Sequence, residues 1–223
     1  MLWSGDPDLW SIIWISLKTS LVALALAAPL AVVLGYAIAC SRFRGRRLVI
    51  WLVQATLSLP TVLVGLLLYL LLSRHGPWGG LHLLFTQPGV MLGQFVIAMP
   101  VLVAFTLAAV QAADPRLAET AVALGASRWR TMATVLHEVR FGVMAAVISG
   151  FGRVISEVGC ALMVGGNIAG ETRTITTAIA LETSKGDFAQ GIALGMVLVA
   201  LALLMNGALM ILQGDAHTVR VHT

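Results

Sequence analysis

Five stretches of this chain of 223 residues are apolar for long enough to cross a bilayer, which takes about 20 helical residues. They run from about Ile12 to Cys40, Leu48 to Leu72, Gly89 to Val110, Phe141 to Gly166 and Gly191 to Leu212. With 59% hydrophobic residues, 11% charged residues and a mean hydropathy of +0.94, a soluble domain is excluded, because such domains carry about 25% charge. The expected fold is all-α: a polytopic integral membrane protein with five transmembrane helices, one domain over residues 1–223. Pro60 and Pro100 mark kinks in the second and third spans. Lys18, Thr19 and Ser20 interrupt the first near its outer end, where the lysine stem snorkels to the headgroups. The start lacks a basic leader, with Asp6 and Asp8 ahead of the first run; that run is expected to be a retained span. Cys40 and Cys160 lie far apart, with no disulfide or metal spacing.

The net charge of +4 and pI near 9.7 do not indicate nucleic acid, since the cations flank the spans instead of forming one basic face. Arg42, Arg44, Arg46 and Arg47 lie in the first connection, Arg116, Arg128, Arg130 and Arg140 in the third, and Arg220 in the tail. Arg74, Arg173 and Lys185 lie on the other side. The asymmetry puts the Arg-rich loops and the C-terminus in the cytoplasm and the N-terminus outside.

The third connection, residues 111–140, has an internal grammar. Asp114-Pro115 is a helix start, with the aspartate as cap and proline in the first turn. Gly125 interrupts that helix, and Ser127 caps a second one. In the second, Trp129, Met132, Ala133, Leu136 and Arg140 form an amphipathic stripe leading into the fourth span. Two short helices meeting at a glycine make a compact knob; a helix lying in the headgroups is the plainer alternative.

Within the knob, Glu119, Ala121 and Gly125 match the EAA loop of importer-type ATP-binding-cassette (ABC) permeases, and Val135 stands where that motif has isoleucine. His137-Glu138 replace its terminal Leu-Pro, so the exit from the second helix departs from the pattern. The chain thus resembles the type I ABC importer transmembrane subunits over nearly its whole length. A second segment, Ile155-Ser156-Glu157-Val158-Gly159 through Met163-Val164-Gly165-Gly166-Asn167-Ile168 to Gly170-Glu171-Thr172-Arg173-Thr174, resembles the oxyanion permeases, and most closely their tungstate branch. The resemblance implies ATPase coupling through Glu119, Thr120, Ala121, Gly125, Ala126, Ser127 and Arg128. It implies import of tungstate, with molybdate or sulfate as alternatives, across a bacterial or archaeal cytoplasmic membrane. The implied partners are a cytoplasmic ABC ATPase dimer, an extracytoplasmic tungstate- or oxyanion-binding protein and the membrane lipids. ATP and magnesium belong to the ATPase, and no cofactor is expected on this chain. A second copy of the chain is expected as well, because one chain of five spans cannot easily enclose a path.

Arg153 and Glu157, at i and i+4, fall on one face of the fourth span. Ionised groups in hydrocarbon are costly, so the pair faces protein or water. Arg153, Ser156, Glu157, Asn167, Thr172, Arg173 and Thr174 are candidates for a translocation path or gate. Two alternatives stand beside that reading: a structural ion pair for Arg153 and Glu157, and threonines that satisfy backbone at a helix start. The glycines at 150, 152, 159, 165 and 166 allow close helix approach. No catalytic group and no metal site is expected. A phosphate-binding Gly-x-x-x-x-Gly-Lys-Ser/Thr loop does not occur, and His137-Glu138 lacks the second histidine of a zinc protease. An intramembrane enzyme using Glu157 as base would need another catalytic group, with only Arg153 near, and a passive channel would give no reason for the knob.

Overall fold

The computed structural model describes residues 7–213, so Asp6 and the tail with Arg220 lie outside the described residues. Among the described residues all regular structure is helical. In chain order the helices are α1 (Pro7–Cys40), α2 (Arg46–Leu57), α3 (Thr61–Leu72), α4 (Gln87–Ala112), α5 (Pro115–Ala123), α6 (Arg128–Glu138), α7 (Arg140–Ile155), α8 (Gly159–Gly165), α9 (Ile175–Lys185) and α10 (Phe188–Gln213), with a 3-10 turn at Gly79–Leu81. Three segments are individually long and apolar enough to span a membrane: Asp8–Cys40, Gln87–Ala112 and Phe188–Gly207. Two bent pairs, α2 with α3 and α6 with α7, raise the possible number to five.

Helix α1 has 34 residues and, at about 1.5 Å per residue, a length of about 51 Å, well beyond a hydrocarbon layer of about 30 Å. It continues through Pro29 as α4 does through Pro100, which membrane helices tolerate. Its last turn is closed by Arg46, whose Nε and Nη2 donate to the carbonyls of Ile38 and Ala39 at 2.9 and 3.0 Å. A cation is also favoured there by the helix dipole.

Two expected spans are broken. The run 48–72 is two helices, because Pro60 lacks an N–H and disfavours helical geometry at Leu59; Pro60 itself is extended, with φ −61° and ψ 120°. The run 141–166 breaks after Ile155 and restarts at Gly159. Helix α9, unannounced by any apolar run, fills much of the segment before the last span.

The chain divides into two compact units. The first takes in the described residues up to Leu26, Ser58–Ala98 and Phe151–Leu204. One core gathers Leu9 and Ile12 of α1, Ile175 and Ala178 of α9 and Leu194 of α10. Another gathers Leu68, Leu72, Ile97, Cys160 and Val164, where α3 packs on α8. The backbones there are so close that a Cβ on Gly65 would stand 2.7 Å from the Cys160 Cα. Buried polar ties join the same helices. The Ile175 N–H donates to Ser16 Oγ at 2.7 Å, Gln94 Nε2 to Ser20 Oγ at 3.2 Å, and the exposed Lys18 reaches Gln87 Oε1 at 2.9 Å.

The second unit takes in Ala27–Leu57, Met99–Gly150 and the described residues from Met205. Gly35 of α1 lies against Thr106 of α4, and Gly142 of α7 against Ala109. Helices α5 and α6 pack on each other.

Ser16→Ala should destabilise the protein by about 1–3 kcal/mol, since the buried Ile175 N–H loses its acceptor. Thermal unfolding in detergent measures this, and Gly65→Leu should cost a similar amount, about 1–3 kcal/mol, by overpacking α3 against α8.

Candidate coupling and translocation sites

The knob lies wholly within the second unit, and its turns are set by short-range chemistry. Asp114 Oδ1 accepts from the Arg116 N–H at 2.9 Å, with Pro115 following the cap. At the other end of α5 the Gly125 N–H donates to the Val122 carbonyl and the Ala126 N–H to Ala121, at 2.9 and 3.0 Å. This is the paired closure that requires a left-handed residue after the helix, and Gly125 supplies it with φ +80°. Ser127 then caps α6, its Oγ accepting from the Arg130 N–H at 3.5 Å while its carbonyl takes the Thr131 N–H at 2.9 Å.

The inward face of α6 differs from the expected stripe. Thr131 and Val135 are buried, with Met132, Leu136 and Val139 partly so, whereas Trp129, Ala133 and Arg140 are exposed. Trp129, three residues before Met132 in the expected stripe, is instead exposed. With Val122 and Leu124 it leaves three large apolar side chains 62%, 83% and 72% exposed at 122, 124 and 129. Glu119 and Thr120 are exposed beside them. A recess of about 410 Å³ next to the knob is lined by Glu119, Asp114, Arg42, Arg46 and neighbouring apolar residues. Another of about 800 Å³ lies among Tyr36, Cys40, Ala126, Arg128, Trp129 and Met132. The exit to α7 bends by 75° and is held by Arg140, which donates to the His137 carbonyl at 3.0 Å and stacks on the Phe141 ring at 4.6 Å.

The other candidates lie in the first unit. Arg153 and Glu157 do pair, Nη1 to Oε2 at 2.8 Å, but not on one continuous helix. Glu157 sits in the break between α7 and α8. Its Oε1 accepts from the Cys160 N–H at 3.0 Å, and its carbonyl accepts from Thr176 Oγ1 at 2.7 Å. One residue thus ties the end of α7, the first turn of α8 and α9. The Arg153 side chain is 37% exposed and that of Glu157 2%. Ser156, exposed, bonds back to the carbonyls of Gly152 and Arg153.

The turn after α8 runs through Gly166, Asn167 and Gly170, all with positive φ. Thr172 closes it, donating to the Gly165 carbonyl and accepting from the Ile168 N–H. Thr174 caps α9 reciprocally with Thr177. The hydroxyls of Thr172, Thr174, Thr176 and Thr177 are therefore all bonded within the unit and buried. Asn167 and Arg173 differ: among the described residues, Asn167 Oδ1 and Arg173 Nε are buried without a hydrogen-bond partner. Ser16, which anchors α9, had no signal in the sequence beyond being a hydroxyl in an apolar run.

Residues 27–215 match the family model described as the inner-membrane component of binding-protein-dependent transport systems. The chain belongs to this family, and so is the membrane permease component of an ABC importer. A "Probable anion ABC transporter permease protein" of Haloferax volcanii is 41% identical over 91% of this chain and 90% of its own length. The tungstate uptake system permease protein TupB of Campylobacter jejuni is 38% identical over 92% of this chain and 86% of its own. A chain of the MetNI methionine ABC transporter, solved in inward-facing conformations, superposes with a TM-score of 0.73 over 93% of this chain and 97% of that one. At 16% identity it shows the fold, that of a type I importer transmembrane subunit.

The ion pair gives an asymmetric expectation. Arg153→Met strands a carboxylate that is 98% buried by side chain, since only 2% is exposed, and should cost about 3–5 kcal/mol. Glu157→Gln should cost less, because the stranded guanidinium can turn to water and the amide oxygen still accepts from Cys160. Paired unfolding curves in detergent check the order.

Proposed function

We propose that this chain is the permease subunit of an ATP-driven tungstate importer. The likeness to the Campylobacter tungstate uptake permease over nearly the whole chain carries the reading, and the probable anion permease of Haloferax supports the wider oxyanion class. The working unit is a homodimer with a cytoplasmic ATPase dimer and an extracytoplasmic oxyanion-binding protein. The N-terminus faces outside and the 111–140 knob the cytoplasm, following the arginine asymmetry.

The knob is the docking element. Val122, Leu124 and Trp129 offer apolar contact that water opposes, and Glu119, Thr120, Ser127 and Arg128 surround it with polar groups, a common anatomy for protein interfaces. Closure of the ATPase dimer draws on the knob of each permease, and its bend into α7 passes the motion to the spans. ATP and magnesium are used by the ATPase, and this chain hydrolyses nothing itself. The path candidates fall into two kinds. Arg153, Ser156 and Glu157 form a gate at a broken helix, with the arginine neutralised so that a passing dianion is not trapped. Thr172 and Thr174 hold the surrounding backbone.

Vesicles containing the permease, its ATPase and the binding protein should take up tungstate only with ATP inside the cytoplasmic compartment, and excess molybdate should compete less well than unlabelled tungstate. Uptake without the ATPase, or none of tungstate, contradicts the reading. Gly125→Leu should cost about 1–2 kcal/mol locally through its positive φ, not through a clash, since nothing lies within 4 Å of the added carbon. It should leave the permease in the membrane while ATPase binding and uptake both fall.

A further inference from the structure

The arginines of the second unit differ in what answers their charge. Arg46 is engaged at the end of α1, where it donates to the carbonyls of Ile38 and Ala39. Arg140 donates to the His137 carbonyl and stacks on Phe141. Arg44 and Arg47, on either side of Arg46, are exposed, and among the described residues their side chains make no hydrogen bond and no ion pair. Their stretch of chain offers no carboxylate, since no aspartate or glutamate occurs between Asp8 and Asp114. Arg42 is placed differently: it lines the recess that also holds Asp114 and Glu119.

The two open arginines head an apolar face. The Arg46 N–H donates to the Phe43 carbonyl and the Val49 N–H to that of Gly45, so the turn after α1 runs directly into α2. On α2, Arg46, Val49, Ile50 and Val53 are partly buried and recur at i, i+3, i+4 and i+7, which fixes the inward side. The outward side begins with Arg47 and continues with Leu48, Trp51 and Leu52, all exposed. Arg47 lies four residues and Leu48 three residues before Trp51, spacings that make them neighbours on a helix surface. From Arg47 to Leu57 the helix rises about 15 Å at about 1.5 Å per residue, half of a hydrocarbon layer of about 30 Å. Open charge at one end, followed by about one leaflet's depth of apolar side chains, matches the outline of a phospholipid.

We propose that Arg44 and Arg47, with Leu48, Trp51 and Leu52, hold a phospholipid with an anionic headgroup, its phosphate on the guanidinium groups and an acyl chain along α2. Guanidinium groups match phosphate oxygens with paired donors, and arginines beside a span draw anionic lipids. Tryptophan suits the same depth, with a ring that meets both headgroup and chain. An acidic protein surface would satisfy the arginines but not the leucines and tryptophan that follow within about one turn. The knob is built otherwise, because Glu119, Thr120 and Ser127 stand with Arg128 around its apolar residues. The lipid site concerns the membrane in which the permease works and does not depend on which anion it moves.

The test titrates the full-length permease in neutral detergent with phosphatidylglycerol or phosphatidylcholine of the same acyl chains, and native mass spectrometry measures the bound lipid. Phosphatidylglycerol should bind about tenfold or more tighter, as two arginines near a headgroup phosphate imply. Arg44→Gln with Arg47→Gln should bring the two lipids to within about threefold of each other. The lipid-free melting temperature should stay near wild type, because neither side chain has a partner to lose. Arg74→Gln, which removes an exposed arginine of the first unit, should leave the preference intact. A preference that survives the double change, or that falls equally in Arg74→Gln, overturns the site. Free glycerol phosphate that displaces the lipid also overturns it, by marking a site for a soluble anion. In the assembled transporter in membranes, a photo-crosslinking residue at position 51 should capture phospholipid, and capture of the ATPase instead contradicts the proposal even where the double variant fails to fold.

Discussion

Within hydrocarbon a backbone polar group has no water to turn to, and the structure is organised around places where a helix ladder stops and another partner must step in. Glu157 is the strongest of these. Its carboxylate answers the first turn of α8 and the charge of Arg153, while its carbonyl receives Thr176. The turn that follows is closed by Thr172, and the next helix by Thr174 and Ser16. A broken helix is tolerated in a membrane where side chains satisfy the freed groups in this way. It also leaves Ser156 and part of Arg153 exposed, a polar surface that an unbroken apolar helix would not provide.

The knob inverts the logic. There the backbone is closed by local caps, at Asp114, Gly125 and Ser127, and the large apolar side chains are left outward. A protein with a sizeable core nearby has every reason to bury Trp129 and Leu124, and the proposal made above treats their exposure on a polar, arginine-rich connection as one half of an interface. The membership of the chain in a family of binding-protein-dependent importers supplies the reason for such a surface, and α7 carries the chain from it to the break at Glu157.

How legible all this was depended on distance along the chain. Asp114-Pro115, Gly125 and Ser127 could be read because caps act within a few residues, and the long apolar runs of α1, α4 and α10 because length alone marks them. The pairing of Arg153 with Glu157 followed from i, i+4 spacing, yet the helix break between them did not, since it depends on Cys160 and Thr176 arriving from other elements. Ser16 serves a backbone N–H 159 residues away, and no local pattern encodes that. Periodicity puts Trp129 in the α6 stripe, because it identifies apolar residues without saying which of them pack inside the chain. The difference between a compensated and an open arginine, invisible in spacing, required the side-chain contacts.

The central claim is that the surface at 122–129 receives the ATPase. A photo-crosslinking residue at position 124 in the assembled transporter, activated in membranes, tests it most directly. The account requires a specific adduct with the ATP-binding subunit, lost when that subunit is omitted. Adducts with lipid alone, or with the extracytoplasmic binding protein, would contradict it.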